Sequence, residues 1–354
     1  MKVVVTANQV PFMPGGADHL TRGLDAALQR AGHQVEVIRF PFRFAPARAI
    51  TELMAFCRQL DLTEFNGHRP ERVISLQFPG YAGQHPDHRA WIMHQHRAAY
   101  DLYNPNNADQ EQQALAQQIQ RFDAEALNRL VARFTISRNV AERMQRYNGL
   151  PAQPLYHPPP FESSYFTAES DRYVFFPSRL ESLKRQELLI EAASLMTRPL
   201  NIVIAGEGGQ RAHYQQRIAE LGLQHRVILA GALSEKAKLT AYAHAAAVFF
   251  GPQDEDLGYV TLEAMLASKP VITCHDSGGP LEFVHHGDTG WVCEPTPQSV
   301  ARVLDEVAAN PSRARERGQQ GRACYEQLEL TWDKVVETLM APYSATDSGG
   351  ADGG

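Results

Sequence analysis

Apolar residues gather in short runs along the whole chain, and between the runs lie stretches with apolar positions three and four apart. The first run, KVVVTA (2–7), has the length of a strand. A loop, NQVPFMPGG, leads to Leu20, Leu24, Ala27 and Leu28 at helical spacing. Gly32 closes that helix and QVEVIRF (34–40) is the next strand. Strand, helix and strand in that order predict a parallel sheet. RVISLQF (72–78), AWIM (90–93) and RFTIS (133–137) read as further strands, and 109–132 as a long helix with Leu115, Ile119, Phe122, Leu127 and Leu130 apolar. Ser137 stands as the N-cap of a helix that ends near Gly149. The series resumes at YVFFP (173–177). It runs through SRLESLKRQELLIEAASLM, NIVIAGEGG, RVILAG, a helix over 234–245, AAAVFF (245–250), TLEAMLA and PVITC (270–274). Helical stretches near 297–309 and 311–327 follow, and TWDKVVETLMAPY (331–343) is a last helix capped by Thr331.

The stretch LPAQPLYHPPPFESSYF (150–166) is dense in proline, so it is neither helix nor central strand. It reads as the connection between two doubly wound α/β domains. The predicted division is an N-terminal domain over 1–155, a linker over 156–172, a C-terminal domain over 173–328, a final helix over 329–343 and a flexible tail over 344–354.

Composition narrows the class. A length of 354 residues suits two cores, and 44% hydrophobic with 21% charged residues is ordinary globular usage. A net charge of −6 argues against a dedicated nucleic-acid binder. Cys57, Cys274, Cys293 and Cys324 form no CxxC and fit reduced thiols in a cytoplasmic enzyme. MKVVVTANQV has no long apolar region, so no signal peptide is expected, and no run approaches 18 apolar residues, so no membrane span is expected.

The densest chemistry lies in EDLGYVTLE (255–263), which joins an apolar strand to a helix. Free N–H groups at a helix start attract phosphate, and Gly258, with Tyr259 and Val260 after it, lets the backbone come close. Glu263 lies roughly 7 Å further along the axis, a fitting distance from a phosphate to ribose hydroxyls. Glu255 precedes the helix and can face whatever the phosphate carries. Two acids at this spacing on a surface helix are also common without any function. Arg179 and Lys184 follow the first strand of the second domain, where two cations suit a diphosphate, although either alone would be an ordinary solvated residue. Gly206 opens a GEGG loop that lines a nucleotide site or is simply a tight turn. Gly15 and Gly16 precede the first helix, where they permit close approach of an anion or serve a tight turn. The pattern is not GxGxxG, which argues against a dinucleotide. His94 falls at the C-terminal end of a strand, where open α/β sheets bind ligands, with His96 beside it. A metal reading of both with His85 and His88 lacks any acid or thiol cluster at ligand spacing, so a polar turn is preferred. Arg43, Arg48 and Arg58 among Phe42, Phe44, Leu53 and Phe56 read as a packed helix with its arginines in water.

Taken together, Glu255, Gly258, TLEAM, KPVI, SGGP with Glu282, and Gly287 to Gly290 resemble the Glu-x7-Glu segment of retaining glycosyltransferase family 4. The resemblance implies the GT-B fold, two Rossmann-like domains facing across a cleft. It implies retaining transfer of a sugar from a nucleotide-diphospho-sugar to a saccharide or lipid-linked saccharide, with neither cofactor nor metal. It assigns SRLESLK, through Arg179 and Lys184, to the donor diphosphate, with Arg185 standing where many members have glycine. It also assigns Glu255 and His94 to the transferred sugar, with His96 as the second choice, Glu263 to the ribose, and the Gly15–Gly16 loop to the donor phosphates. GALSEKAKL (231–239) resembles the part that meets the base. A basic, aromatic surface over 41–62 touches membrane in some members, and the expected location is cytoplasmic, with peripheral contact at the inner face open. Two other classes share these features, a GT-B sugar-nucleotide 2-epimerase and a non-catalytic nucleotide-sugar binder. Donor base, sugar, acceptor and oligomeric state have no signature in the chain.

Overall fold

The computed structural model describes residues 1–12 and 15–342. The chain divides into two compact units, one formed by Met1–His157 with the segment from Thr331 onward, the other by Pro158–Leu330. In the first unit the strands are β1 (Lys2–Gln9), β2 (Gln34–Pro41), β3 (Arg72–Ser75), β4 (His88–Ile92), β5 (Ala132–Thr135) and β6 (Gln153–Pro154). Its helices are α1 (Gly16–Arg30), α2 (Ala47–Gln59), α3 (Gln110–Asn128) and α4 (Arg138–Asn148). In the second unit β7 (Tyr173–Pro177), β8 (Asn201–Ala205), β9 (Val227–Gly231), β10 (Ala247–Phe249), β11 (Val271–Cys274) and β12 (Gly290–Cys293) alternate with α5 (Gln186–Leu195), α6 (Arg211–Glu220), α7 (Glu235–His244) and α8 (Tyr259–Leu266). α9 (Pro297–Ala309) and α10 (Pro311–Gln327) complete that unit, and α11 (Trp332–Met340) returns to the first.

Each unit holds one parallel sheet, ordered β2-β1-β3-β4-β5-β6 in the first and β12-β11-β10-β7-β8-β9 in the second. The strand order reverses between β1 and β3 and between β10 and β7. Loops leaving the C-terminal ends of those strands diverge and leave a crevice for ligands. Sheets covered on both faces need strands apolar on both faces. Val174, Phe175 and Phe176 in β7 and Ala247, Val248 and Phe249 in β10 are all fully buried. The starts of α4 and α11 are capped by side chains: Ser137 Oγ accepts from Val140 N at 3.1 Å, and Thr331 Oγ1 accepts from Lys334 N at 3.2 Å. Gly149 closes α4 in the left-handed region.

α11 packs on α1, with the Trp332 ring against Gly23, and its last carbonyls meet buried arginines of the sheet. Arg72 Nη1 donates to Leu339 O at 2.9 Å, and Arg89 Nη1 donates to Leu339 O at 3.0 Å and to Ala341 O at 2.8 Å. Asp87 accepts from both arginines. Burial works against its charge, but those two bonds hold the carboxyl below its ordinary range.

Several boundaries differ from the sequence reading. The strand expected over 72–78 ends at Ser75; Leu76 still bonds to Thr6 O and Met93 N, and Gln77 to Pro79 then form a bend and turn. Gln153–Pro154 and Gly290–Cys293 are strands, the first a two-residue edge where proline is tolerated. Within the proline-rich connection, residues from Pro158 pack on the second unit. Ala168 N donates to Ala243 O at 3.0 Å, and Lys269 Nζ donates to Ala168 O at 3.0 Å. Tyr343 and the tail over 344–354 lie outside the described residues. Among the described residues no helix is long and apolar enough to cross a membrane.

Candidate active site

The reversal point of the second sheet brings two predicted segments together. The loop after β7 carries Arg179 and Lys184, and the loop after β10 carries Glu255. Lys184 Nζ donates to a carboxylate oxygen of Glu255, and the same ammonium lies 5.8 Å from the centre of the Phe250 ring. Both side chains are about four-fifths buried. Lys184 belongs to a 3₁₀ turn, Ser182–Lys184, that precedes α5. Arg179 is exposed, and its carbonyl accepts from Gln186 Nε2 at 2.7 Å.

Arg185 has φ +58°, the left-handed region that favours glycine. Its guanidinium makes two bonds to Asp276, at 2.7 and 2.6 Å. That fork raises the Arg185 pKa and holds the Asp276 carboxyl below its ordinary range. Arg185 is therefore committed to the loop after β11, and Lys184 is the cation turned to Glu255.

The loop before α8 is stitched to the SGGP segment by backbone. Glu255 N donates to Ser277 O at 2.9 Å and Gly279 N donates to Glu255 O at 2.8 Å. Gly258 then adopts φ +83°, and a Cβ there would meet the Phe250 ring at 2.8 Å. Thr261 N makes the first turn's bond of α8, to Gly258 O at 3.0 Å. Tyr259 and Val260 are half-buried there. Gly206 has φ +139°, and a Cβ would fall 2.1 Å from Ser178 O, so the GEGG loop is a turn packed tightly on the loop after β7.

Glu263 is only 2% exposed. Lys238 Nζ donates to Oε1 at 2.7 Å and Tyr242 Oη donates to Oε2 at 2.5 Å. The two acids of the pair thus have separate neighbours, Glu255 the loop after β7 and Glu263 the helix α7.

In the first unit the Gly15–Gly16 loop leaves β1 at that sheet's reversal point. Gly15 N donates to Asp18 Oδ2 at 3.2 Å, so this amide serves the helix's own first-turn acid, which also pairs with Arg39 at 3.2 Å. Gly15 is extended and a Cβ there would meet open space. His94 stands two residues beyond β4, half-buried, with Nδ1 2.7 Å from Gln95 O. His96 is enclosed by Phe78, 5.2 Å between ring centres, and Phe42, at 6.1 Å, and burial lowers its pKa to about 4. His88 is bound to Ser75 Oγ and Gly83 O, and His85 to Pro70 O and Asp87 N. Each of these imidazoles is held by the fold around it. Among the described residues no group of three or more His, Cys, Asp or Glu side chains could hold a metal ion. Beside His96 a cavity of about 350 Å³ opens, lined by Tyr103, Asn104, Asn107 and Gln112 among apolar residues.

The sequence reading passed over Lys238 and Tyr242, whose i, i+4 spacing in α7 marks one helix face, and over Asp276. It also treated the four cysteines as scattered, whereas parallel register sets Cys274 beside Cys293, both buried thiols.

Residues 161–323 match the sequence model of the family described as glycosyl transferases group 1. A stretch of 132 residues is 32% identical to alpha-1,3/1,6-mannosyltransferase ALG2 of Homo sapiens, covering 35% of this chain and 32% of that protein. The chain spans about a quarter to a half of the length of the curated relatives it matches. Among solved structures, Anabaena HepE in complex with UDP-glucose is similar, at 17% identity and a TM-score of 0.72 over 96% of this chain and 98% of that one. Sucrose-phosphate synthase from Thermosynechococcus elongatus, at 15% identity, has a TM-score of 0.76 over 96% and 97%. The fold is GT-B, with two Rossmann-like parallel-sheet domains.

Proposed function

We propose that the chain is a retaining glycosyltransferase that moves a sugar from a nucleotide-diphospho-sugar to a saccharide or lipid-linked saccharide acceptor, independently of a metal. The observation that carries this reading is the meeting of Lys184 and Glu255 at the reversal point of the second sheet, beside the start of α8. The family match over 161–323 supports it.

In this reading the donor diphosphate lies against Arg179, Lys184 and the N–H groups of Gly258, Tyr259 and Val260. The bond from the sugar's anomeric carbon to phosphate oxygen breaks, its electron pair leaves with the diphosphate, and these donors stabilise the growing charge. Two cations supply what a divalent ion supplies elsewhere. Glu255, freed of part of its bond to Lys184 as phosphate arrives, accepts from sugar hydroxyls. Glu263 accepts from the ribose. The acceptor hydroxyl adds to the anomeric carbon on the face the phosphate leaves, and its proton passes to the departing phosphate oxygen. His94 and the Gly15–Gly16 loop, beyond the C-terminal ends of β4 and β1, are the ligand-binding residues proposed in the first unit. The cavity beside His96, with Asn104, Asn107 and Gln112 among apolar residues, supports an uncharged acceptor that offers both hydroxyls and apolar surface. Buried thiols at Cys57, Cys274 and Cys293 support a cytoplasmic location.

The test is a thermal-shift screen against UDP, GDP, ADP and dTDP sugars, with Lys184→Ala and Glu263→Ala beside the parent. A ligand near 100 times its Kd stabilises the folded protein by about 2.7 kcal/mol. One nucleotide class should shift the parent and neither variant, and turnover should survive EDTA and give a product of unchanged anomeric configuration. Variants that respond like the parent would remove Lys184 and Glu263 from the donor site.

A further inference from the structure

The first unit buries a carboxylate that the reaction above does not use. Asp123, on α3, is fully buried, and its partners are two phenols. Tyr81 Oη donates to Oδ1 at 2.5 Å and Tyr100 Oη donates to Oδ2 at 2.7 Å. Burying an acid without a cation is costly, and an apolar side chain on this helix face would be cheaper. The position is explained by where its bonds lead. Tyr100 Oη accepts from Asn148 Nδ2 at 3.1 Å, and Asn148 Oδ1 accepts from Gln95 Nε2. Gln95 is 2% exposed, and its backbone carbonyl faces His94 Nδ1 at 2.7 Å. A carbonyl accepts only, so it requires a proton on Nδ1 and leaves Nε2 of the neutral ring as an acceptor for a ligand. One uninterrupted set of hydrogen bonds therefore runs from α3, through the last residue of α4, to the residue that fixes the tautomer and orientation of His94.

We propose that the chain Asp123–Tyr100–Asn148–Gln95 positions the His94 imidazole. The four are positioning residues: none is placed against substrate, and they act through Gln95. The inference rests on the proposed function for the importance of His94, but the positioning itself can be read without any substrate.

The full-length protein, labelled with ¹⁵N-histidine, is compared as parent, Tyr100→Phe, Tyr81→Phe and Asn148→Ala, with His94→Gln identifying the resonances. Tyr100→Phe and Tyr81→Phe each take one hydroxyl from Asp123, but only the first breaks the path to Gln95. The His94 ring nitrogens should change shift or tautomer ratio in Tyr100→Phe and Asn148→Ala and stay as in the parent in Tyr81→Phe. Unmoved signals in Tyr100→Phe, or equal movement in Tyr81→Phe, would overturn the proposal in favour of plain packing. With UDP-glucose as the first donor probed, Tyr100→Phe should lower kcat on the order of tenfold or more at unchanged donor KM and add nothing in a His94→Gln background. If His94→Gln alone leaves turnover intact, the role of His94 in the proposed function fails, while the nitrogen shifts still decide its positioning.

Discussion

Asp123 also gives the first unit a measurable pH response. Burial outweighs its two hydroxyl bonds and pushes the carboxyl from 3.8 up to about 7. Between those values the native state holds a proton that the unfolded chain has released. The group's contribution to stability is therefore full below about pH 4 and is lost as pH rises through about 7. His88 and His96 act with the opposite sign. Burial lowers both from 6.5 to about 4, so their contribution is present above 6.5 and lost as pH falls through about 4. The parent's stability curve superposes these trends, but the difference between the parent and Asp123→Asn isolates the carboxyl. Urea unfolding across pH 5 to 8 should show the Asn variant gaining on the parent as pH rises. A variant that loses ground instead would mean that Asp123 is ionised in the native state.

At the scale of elements, the contact of α1 with α11 reverses an ordinary rule. Replacing glycine by alanine inside a helix usually stabilises by about 1 kcal/mol. A Cβ on Gly23, however, would lie 2.1 Å from the Trp332 ring. That ring is stacked on His157, 5.6 Å between centres, and edged by Trp91 at 6.2 Å, so moving it off the added Cβ would break both contacts. Gly23→Ala should cost about 1–3 kcal/mol in urea unfolding, the range for overpacked cores, and a gain would show that α11 can slide. The same contrast between local rule and distant neighbour separates what was legible in the chain from what was not. β7 and β10 were legible because strands buried on both faces are continuous apolar runs, and α4 and α11 because Ser137 and Thr331 cap them. Glu255 and Gly258 were legible because one loop holds both. Arg185 with Asp276, and Lys238 with Glu263, were not, since those pairs are closed by sheet order across 91 and 25 residues. Asp123 did leave a trace: it stands four positions after Ile119 on the apolar face of α3, where a carboxylate is out of place.

At the scale of the whole molecule, the first unit is built from both ends of the described chain. A protein stopped after Leu330 would strip the carbonyls of Leu339 and Ala341 from Arg72 and Arg89, leaving two buried guanidiniums with one Asp87 between them. An unmade bond to a buried charged group costs on the order of 1–3 kcal/mol or more, and the Trp332 ring would leave its notch as well. Calorimetry should show the first unit melting well below its place in the parent while the second keeps its own transition; identical profiles would show that α11 adds nothing to the first unit. The same arrangement bears on how the chain comes off the ribosome. Residues 1–157 emerge with an open groove at Gly23 and two unmatched cations, and the helix that fills them is translated only after all of Pro158–Leu330. At about 5–20 residues per second that wait is on the order of ten seconds or more, during which the nascent first unit stays incomplete and open to chaperones.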